Sequence, residues 1–216
     1  MNEQENEDIK KKDDTIKILL IGDSGVGKTC ICQRYINGTF DVQDGCTIGA
    51  SYFQKILNIN GIDYKLDIWD TAGQEKYRAM GKMFYKNAYI VLFVYDITIK
   101  SSFDNLKNFW YKEVINTGEK NIVLAVVGNK IDMFLKENVD EDEGKKWAEE
   151  IGAIFALVSA KTGDCIFPLF ENVLKKYLKP DFASKIIIEN KRKSDITKIR
   201  NSAENRKINK KSKCKC

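Results

Sequence analysis

Apolar residues along this chain gather in short runs separated by polar turns. Thr15-Ile16-Lys17-Ile18-Leu19-Leu20-Ile21 is β-branched and apolar and ends at Gly22, and similar runs recur at Leu66–Trp69, Ile90–Tyr95, Ile122–Val127 and Ile154–Val158. Short apolar runs bounded by turn residues predict buried strands. Between them apolar positions recur at helical spacing over Lys28–Ile36, Ser101–Thr117 and Val139–Ile151, and Phe167–Leu178 closes the series. Strand and helix therefore alternate, which predicts an α/β fold with right-handed crossovers, a mostly parallel sheet and helices on both faces. One pair departs from the alternation: Tyr52–Ile59 and Ile62–Trp69 are joined by Asn60-Gly61, a tight-hairpin signature, so one antiparallel edge strand is expected.

The 216 residues, 43% hydrophobic and 31% charged, suit one domain with a real core plus tails. The longest apolar stretch, Ile90–Tyr95, is far short of the roughly 20 residues that cross a bilayer, and Met1–Glu5 has no basic-then-apolar secretory pattern. Neither export nor membrane spanning is expected. The chain contains no histidine, which excludes Ser-His-Asp and Cys-His nucleophiles, histidine-ligated zinc and histidine proton shuttles. Six cysteines without a C-x-x-C pair point to a reducing compartment.

Charge is unevenly distributed. From Lys179 onward 13 Lys or Arg face four carboxylates, a surplus of nine, so the net +5 of the chain conceals a −4 over residues 1–178. Residues 1–14 are nearly all charged or amide side chains and read as a disordered extension. Residues 15–178 form the expected domain, and residues 179–216, entered through Pro180, a flexible basic tail.

Gly22-Asp23-Ser24-Gly25-Val26-Gly27-Lys28-Thr29 matches G-x-x-x-x-G-K-[ST] and lies between a predicted strand and a predicted helix. Its glycines permit a curl that points backbone N–H groups at phosphate oxygens. The helix N-terminus adds partial positive charge, Lys28 neutralises β- and γ-phosphates, and Thr29 offers a hydroxyl to Mg²⁺. An ordinary Gly-rich turn with a surface lysine is the bland alternative. Either way the loop alone names no base.

Base selection is read from Gly128-Asn129-Lys130-Ile131-Asp132 and Ser159-Ala160-Lys161, both at carboxyl ends of predicted strands, where parallel sheets bind ligands. A carboxylate at Asp132 can accept from guanine's ring N–H and exocyclic amine, whereas adenine would leave the charge unpaired. Stems of Lys130 and Lys161 can pack on the faces of the base, and the Ala160 amide can reach guanine's carbonyl oxygen.

With Thr47-Ile48-Gly49, Trp69-Asp70-Thr71-Ala72-Gly73-Gln74-Glu75, Tyr95-Asp96-Ile97-Thr98 and Cys214-Lys215-Cys216, this set resembles the Ras superfamily of small GTPases and, within it, the Rab family. The stretch Thr47–Tyr52 looks most like the endocytic branch. The resemblance implies a P-loop NTPase three-layer sandwich with a six-stranded sheet, and nucleotide contacts running from Asp23 through Cys30 and including Ser159. It implies Mg²⁺ held by Thr29, Thr47 and, through water, Asp70, which otherwise reads as a capping residue. It also implies Thr47 and Gly73 amides on the γ-phosphate, Gln74 orienting the attacking water, and Phe40 beside the base, where core packing is the competing reading. The segment Gly38–Thr47 contains no arginine to neutralise charge developing on the γ-phosphate, and Ser24 stands near the reacting phosphate where it can crowd Gln74, so slow intrinsic turnover awaiting an activating protein is expected.

By the same resemblance Tyr52, Trp69 and Phe84 match an aromatic triad shown to effectors, with ordinary packing as the other reading. Tyr52 replaces the usual Phe, and Lys76 the usual Arg. The C-x-C end resembles doubly geranylgeranylated Rabs, so Cys214 and Cys216 would carry two lipids on a basic tether. Free thiols and basic RNA binding are the tail's alternatives, the latter lacking interleaved aromatics. The implied partners are an exchange factor, a GTPase-activating protein, effectors, and prenyl-delivery and membrane-extraction proteins. No nucleic acid is expected, and the chain would act as a monomer at the cytoplasmic face of vesicle membranes, endosomal by its branch. Two further readings of the whole stay open: a switch-dead GTP-binding interaction module, and a P-loop nucleoside kinase, which would need an acceptor pocket and an arginine-rich lid.

Overall fold

A computed structural model describes residues 15–41, 47, 49–73, 84–116 and 122–179. Its six strands are β1 (Ile16–Ile21), β2 (Ala50–Ile59), β3 (Ile62–Thr71), β4 (Ile90–Asp96), β5 (Val123–Asn129) and β6 (Ile154–Leu157), ordered β2-β3-β1-β4-β5-β6. Only β2 and β3 pair antiparallel, joined at Asn60 (φ 54°) and Gly61 (φ 82°), the paired positive torsions that an Asn-Gly hairpin turn requires. Every other neighbouring pair is parallel.

The helices are α1 (Lys28–Asn37), the composite α2 (residues 100–116), α3 (Glu141–Glu150) and α4 (Ile166–Tyr177), with a 3₁₀ helix over Ile131–Lys136. Because successive strand residues point to opposite faces, the fully buried β4 and β5 supply two cores. Leu19, Val91, Phe93, Tyr95 and Val126 pack with Phe103, Leu106 and Trp110 of α2 and Trp147 of α3. On the alternate face Tyr35 of α1 stacks on Phe170 of α4 with centroids 3.8 Å apart.

Several element bounds differ from the sequence expectation. β5 runs on through Gly128 to Asn129 because β4 extends equally far and pairs Asp96 with Asn129. α3 begins at Glu141 and not at Val139, since the Asp140 carboxylate accepts the Asp142 amide at 2.8 Å and Val139 is buried ahead of the helix. Inside α2 the stretch Leu106–Trp110 is π-helical. Pro168 sits in the first turn of α4, where its missing N–H costs no helix bond.

This topology brings the carboxyl ends of β1, β3, β4, β5 and β6 to one rim of the sheet. The chain divides into units 1–177 and 178–216. The extension 1–14 and the tail from Pro180 onward lie outside the described residues.

Candidate nucleotide site

The rim opens into a cleft of about 530 Å³ lined by Ser24–Thr29 except Val26, and by Cys30, Phe40, Thr47, Gly73, Asn129, Lys130, Asp132, Ala160 and Lys161. At its centre the loop after β1 curls through Gly25 (φ 79°) and Gly27 (φ 97°) into the N-terminus of α1. The Gly27 carbonyl already accepts the Ile31 amide at 2.9 Å, and Gly27, as the N-cap, has no side chain with which to cap the helix start. Main-chain donors and the helix dipole therefore face the cleft, an arrangement suited to an anion. The Lys28 ammonium is buried and donates to the carbonyls of Gly22 (2.9 Å) and Asp23 (2.8 Å). Gly73 presses on the Asp23-Ser24 peptide so closely that a Cβ there would collide with it.

Beside Lys28 lies a cluster of two hydroxyls and one carboxylate. Asp70, fully buried, accepts from Thr29 Oγ1 at 2.6 Å and from Thr47 Oγ1 at 3.4 Å on Oδ2, and the two hydroxyls are 3.0 Å apart. Its Oδ1 is buried without a hydrogen-bond partner among the described residues. Burial pushes the carboxyl above its ordinary pKa, the Thr29 and Lys28 contacts opposing. An orphaned carboxylate oxygen beside two hydroxyls fits a hard divalent cation whose remaining ligands are phosphate oxygens and water. Among the described residues no trio of Cys, Asp or Glu forms a metal site by itself. The cation would thus need the nucleotide.

The base end is tied together more completely. Asn129 donates to the Val26 carbonyl at 2.9 Å and accepts the Ala160 amide at 3.1 Å, bridging the phosphate loop to the loop after β6. A Cβ at Gly27 would strike the Asn129 amide. Lys130, held at φ 71°, pairs with the buried Asp96 at 2.7 Å and donates to the Gly25 carbonyl at 2.8 Å. Asp132 accepts from Ser159 Oγ at 2.7 Å, which fixes its orientation, and Lys161 stands 3.9 Å from its other oxygen.

A model of the Ras family matches residues 17–179. Ras-related protein Rab-22A of Homo sapiens is 41% identical over 161 residues, 74% of this chain and 82% of that protein. Ras-related protein Rab-5A of Dictyostelium discoideum is 38% identical over 74% of this chain and 79% of its own length. The chain belongs to the Ras family, in its Rab branch. Ras-related protein Rab-26 of Rattus norvegicus is 39% identical over 168 residues, 76% of this chain, and the chain spans only 65% of that Rab's length.

Within this Rab-family site three expected nucleotide contacts do not line the cleft. The Asp23 carboxylate turns away to α2, accepting from Asn105 Nδ2 at 2.6 Å and Trp110 Nε1 at 2.8 Å. Val26 is buried, and its carbonyl accepts from Asn129. Ser159 is buried and acts through Asp132. The Ala160 amide, expected on the base, donates to Asn129, and the Lys130 ammonium is engaged by Asp96. Cys30 lines the cleft with its thiol pKa raised by burial. Gln33, Asp41, Ser51 and Met133 also line it without having been singled out. Gln33 is the most informative of them, because its Oε1 is buried without a partner among the described residues.

The aromatic trio expected at the Rab effector face is contiguous. Tyr52 meets Trp69 edge-on at 5.2 Å, and Trp69 meets Phe84 at 5.7 Å. The hydroxyl that distinguishes Tyr52 from Phe donates to Asp67 at 2.6 Å and accepts from Gln54 at 2.9 Å, and the Asp67 bond raises the phenol's pKa. Gln74, Ile48, Lys76, Cys214 and Cys216 lie outside the described residues. No helix among those described is long and apolar enough to cross a membrane.

Proposed function

We propose that the chain is a GTP/GDP switch that hydrolyses GTP slowly on its own and recruits effectors to membranes in vesicle traffic. The observation that carries this is that the Asp132 carboxylate, oriented by Ser159, lines the same cleft as Lys28, Thr29 and Thr47, the two hydroxyls contacting the buried Asp70. Lys28 would exchange its carbonyl partners for phosphate oxygens, and Thr29 and Thr47 directly and Asp70 through water would hold Mg²⁺, which would neutralise charge on the β- and γ-phosphates. Gln74 would orient water for in-line attack on the γ-phosphorus, breaking its bond to the bridging oxygen and giving GDP and inorganic phosphate. The missing arginine between Gly38 and Thr47 favours dependence on an activating protein.

Loss of the γ-phosphate removes what Thr47 and Gly73 would hold, and the loops bearing them would relax. The triad Tyr52, Trp69 and Phe84 would read that difference for effectors. Two lipids on Cys214 and Cys216, with the basic tail, would supply stable but extractable attachment at the cytoplasmic face of endosomal vesicles.

Binding of fluorescent GTP and ATP analogues with and without Mg²⁺, followed by phosphate release with and without a Rab-activating protein, tests the reading. A Mg²⁺-dependent guanosine preference and partner-accelerated release are expected. No base preference would remove the switch altogether, and release equally fast without a partner would remove the slow-timer part.

A further inference from the structure

Arg34, in the last turn of α1, was not marked by any motif. Its three guanidinium nitrogens reach three carbonyls of two different loops. Nε donates to Ala160 O at 2.9 Å, Nη2 to Lys161 O at 2.6 Å, and Nη1 to Gly38 O at 2.5 Å. Arg34's own carbonyl accepts the Gly38 amide at 3.0 Å, and Gly163 packs against its side-chain stem. Ala160 and Lys161 are base-end residues, and Gly38 opens the segment that carries Phe40 and Thr47.

The loop after β6 is thereby clamped from both sides. Asn129 takes its Ala160 amide, and Arg34 takes the next two carbonyls. In a trans peptide C=O and N–H point in opposite directions, so binding the Ala160 carbonyl aims the Lys161 amide away from α1. Arg34 sits on the same helix whose first turn is the phosphate loop. One planar side chain thus references the base loop and the start of the segment 38–47 to a single rigid element. A lysine, with a point charge and no fork, cannot make these three bonds together.

Resting on the guanine-nucleotide reading of the cleft, we propose that Arg34 is a positioning residue that sets how long the nucleotide is retained, by holding the base loop and the Gly38 end of the following segment against α1. It touches neither phosphate nor cation, so it slows release of GDP and GTP alike.

The test uses the full-length chain loaded with fluorescent GDP or GTP in Mg²⁺ and chased with unlabelled nucleotide. Arg34→Ala should release both about tenfold faster, the loss of charge-assisted hydrogen bonds partly open to water. Low-millimolar guanidinium should recover part of the difference in Arg34→Ala and do nothing to the wild type. Arg34→Lys keeps a cation in the last turn of α1, so a wild-type rate in that variant would show a helix-dipole role only and overturn the proposal. A wild-type rate in Arg34→Ala, or acceleration without guanidinium rescue, would overturn it as well. Should the alanine variant fail to fold, the Arg34→Lys rate alone decides. Lys175→Ala, which removes an exposed helical ion pair, is the control expected to match wild type.

Discussion

The two ends of the cleft are built on opposite principles. At the base end each polar side chain that matters has a protein partner: Asn129 has Val26 and Ala160, Lys130 has Asp96 and Gly25, Asp132 has Ser159. At the phosphate end Asp70 keeps one buried oxygen without a partner among the described residues, and the N-cap of α1 is a glycine with no side chain to close the helix start. The base end is braced throughout by protein groups, whereas the phosphate end, with Lys28, Thr29 and Thr47 also bonded, keeps one buried carboxylate oxygen without a partner among the described residues. On the proposed reading the base would meet a preorganised acceptor, whereas the desolvation of the Asp70 oxygen would be compensated only when a cation arrives with the nucleotide.

Three substitutions probe that contrast, in descending effect. Asp132→Asn removes the charged acceptor without changing shape. Guanine affinity should fall about a thousandfold, two charge-assisted hydrogen bonds' worth, in titrations with fluorescent GDP. A loss of less than tenfold would mean that the base end does not read guanine through this carboxylate.

Asp96→Ala strips the anionic partner from Lys130, leaving it the Gly25 carbonyl, and removes the acceptor of two bonds from Thr98. Breaking a buried ion pair costs about 3–5 kcal/mol, reduced here because Lys130 remains about one-third exposed, so unfolding in urea should show a loss of about 2 kcal/mol. An unchanged midpoint would deny that the base end's wiring contributes to the fold.

Asp70→Asn should act in the other direction. Burial places the folded-state pKa of Asp70 above its ordinary 3.8. The fold stripped of nucleotide and metal is therefore favoured while this group is protonated, and it loses that advantage as pH rises through the window between the two values. At pH 7 the asparagine variant of the stripped protein should be more stable than wild type, the gap closing toward pH 4 in urea melts. It should also lose the slowing of GDP release by Mg²⁺. A destabilised variant at pH 7 would break the contrast.

The periodic parts of the molecule were legible from the chain alone. Buried strands announce themselves as apolar runs because both faces of β4 and β5 are covered, and Asn60-Gly61 specifies its turn through the positive φ it tolerates. The phosphate loop is equally readable, since its spacing encodes a backbone shape. What escaped depends on partners distant in sequence. Nothing local to Arg34 tells that its fork meets carbonyls 126 and 127 positions away. Helical period likewise says nothing of the π-helical stretch Leu106–Trp110, whose last residue meets Asp23 across 87 positions. Asp96 carried a motif but no role until Lys130 was seen against it.

The turn of Asp23 toward α2 has an electrostatic consequence. A loop shaped to hold a polyanion carries an acid of its own, and left facing inward that carboxylate would repel its guest. An indole and an amide on the neighbouring helix draw the negative charge outward, leaving the buried ammonium and the amide dipoles to set the potential inside. A helix that lines none of the cleft therefore sets where the loop's own negative charge points.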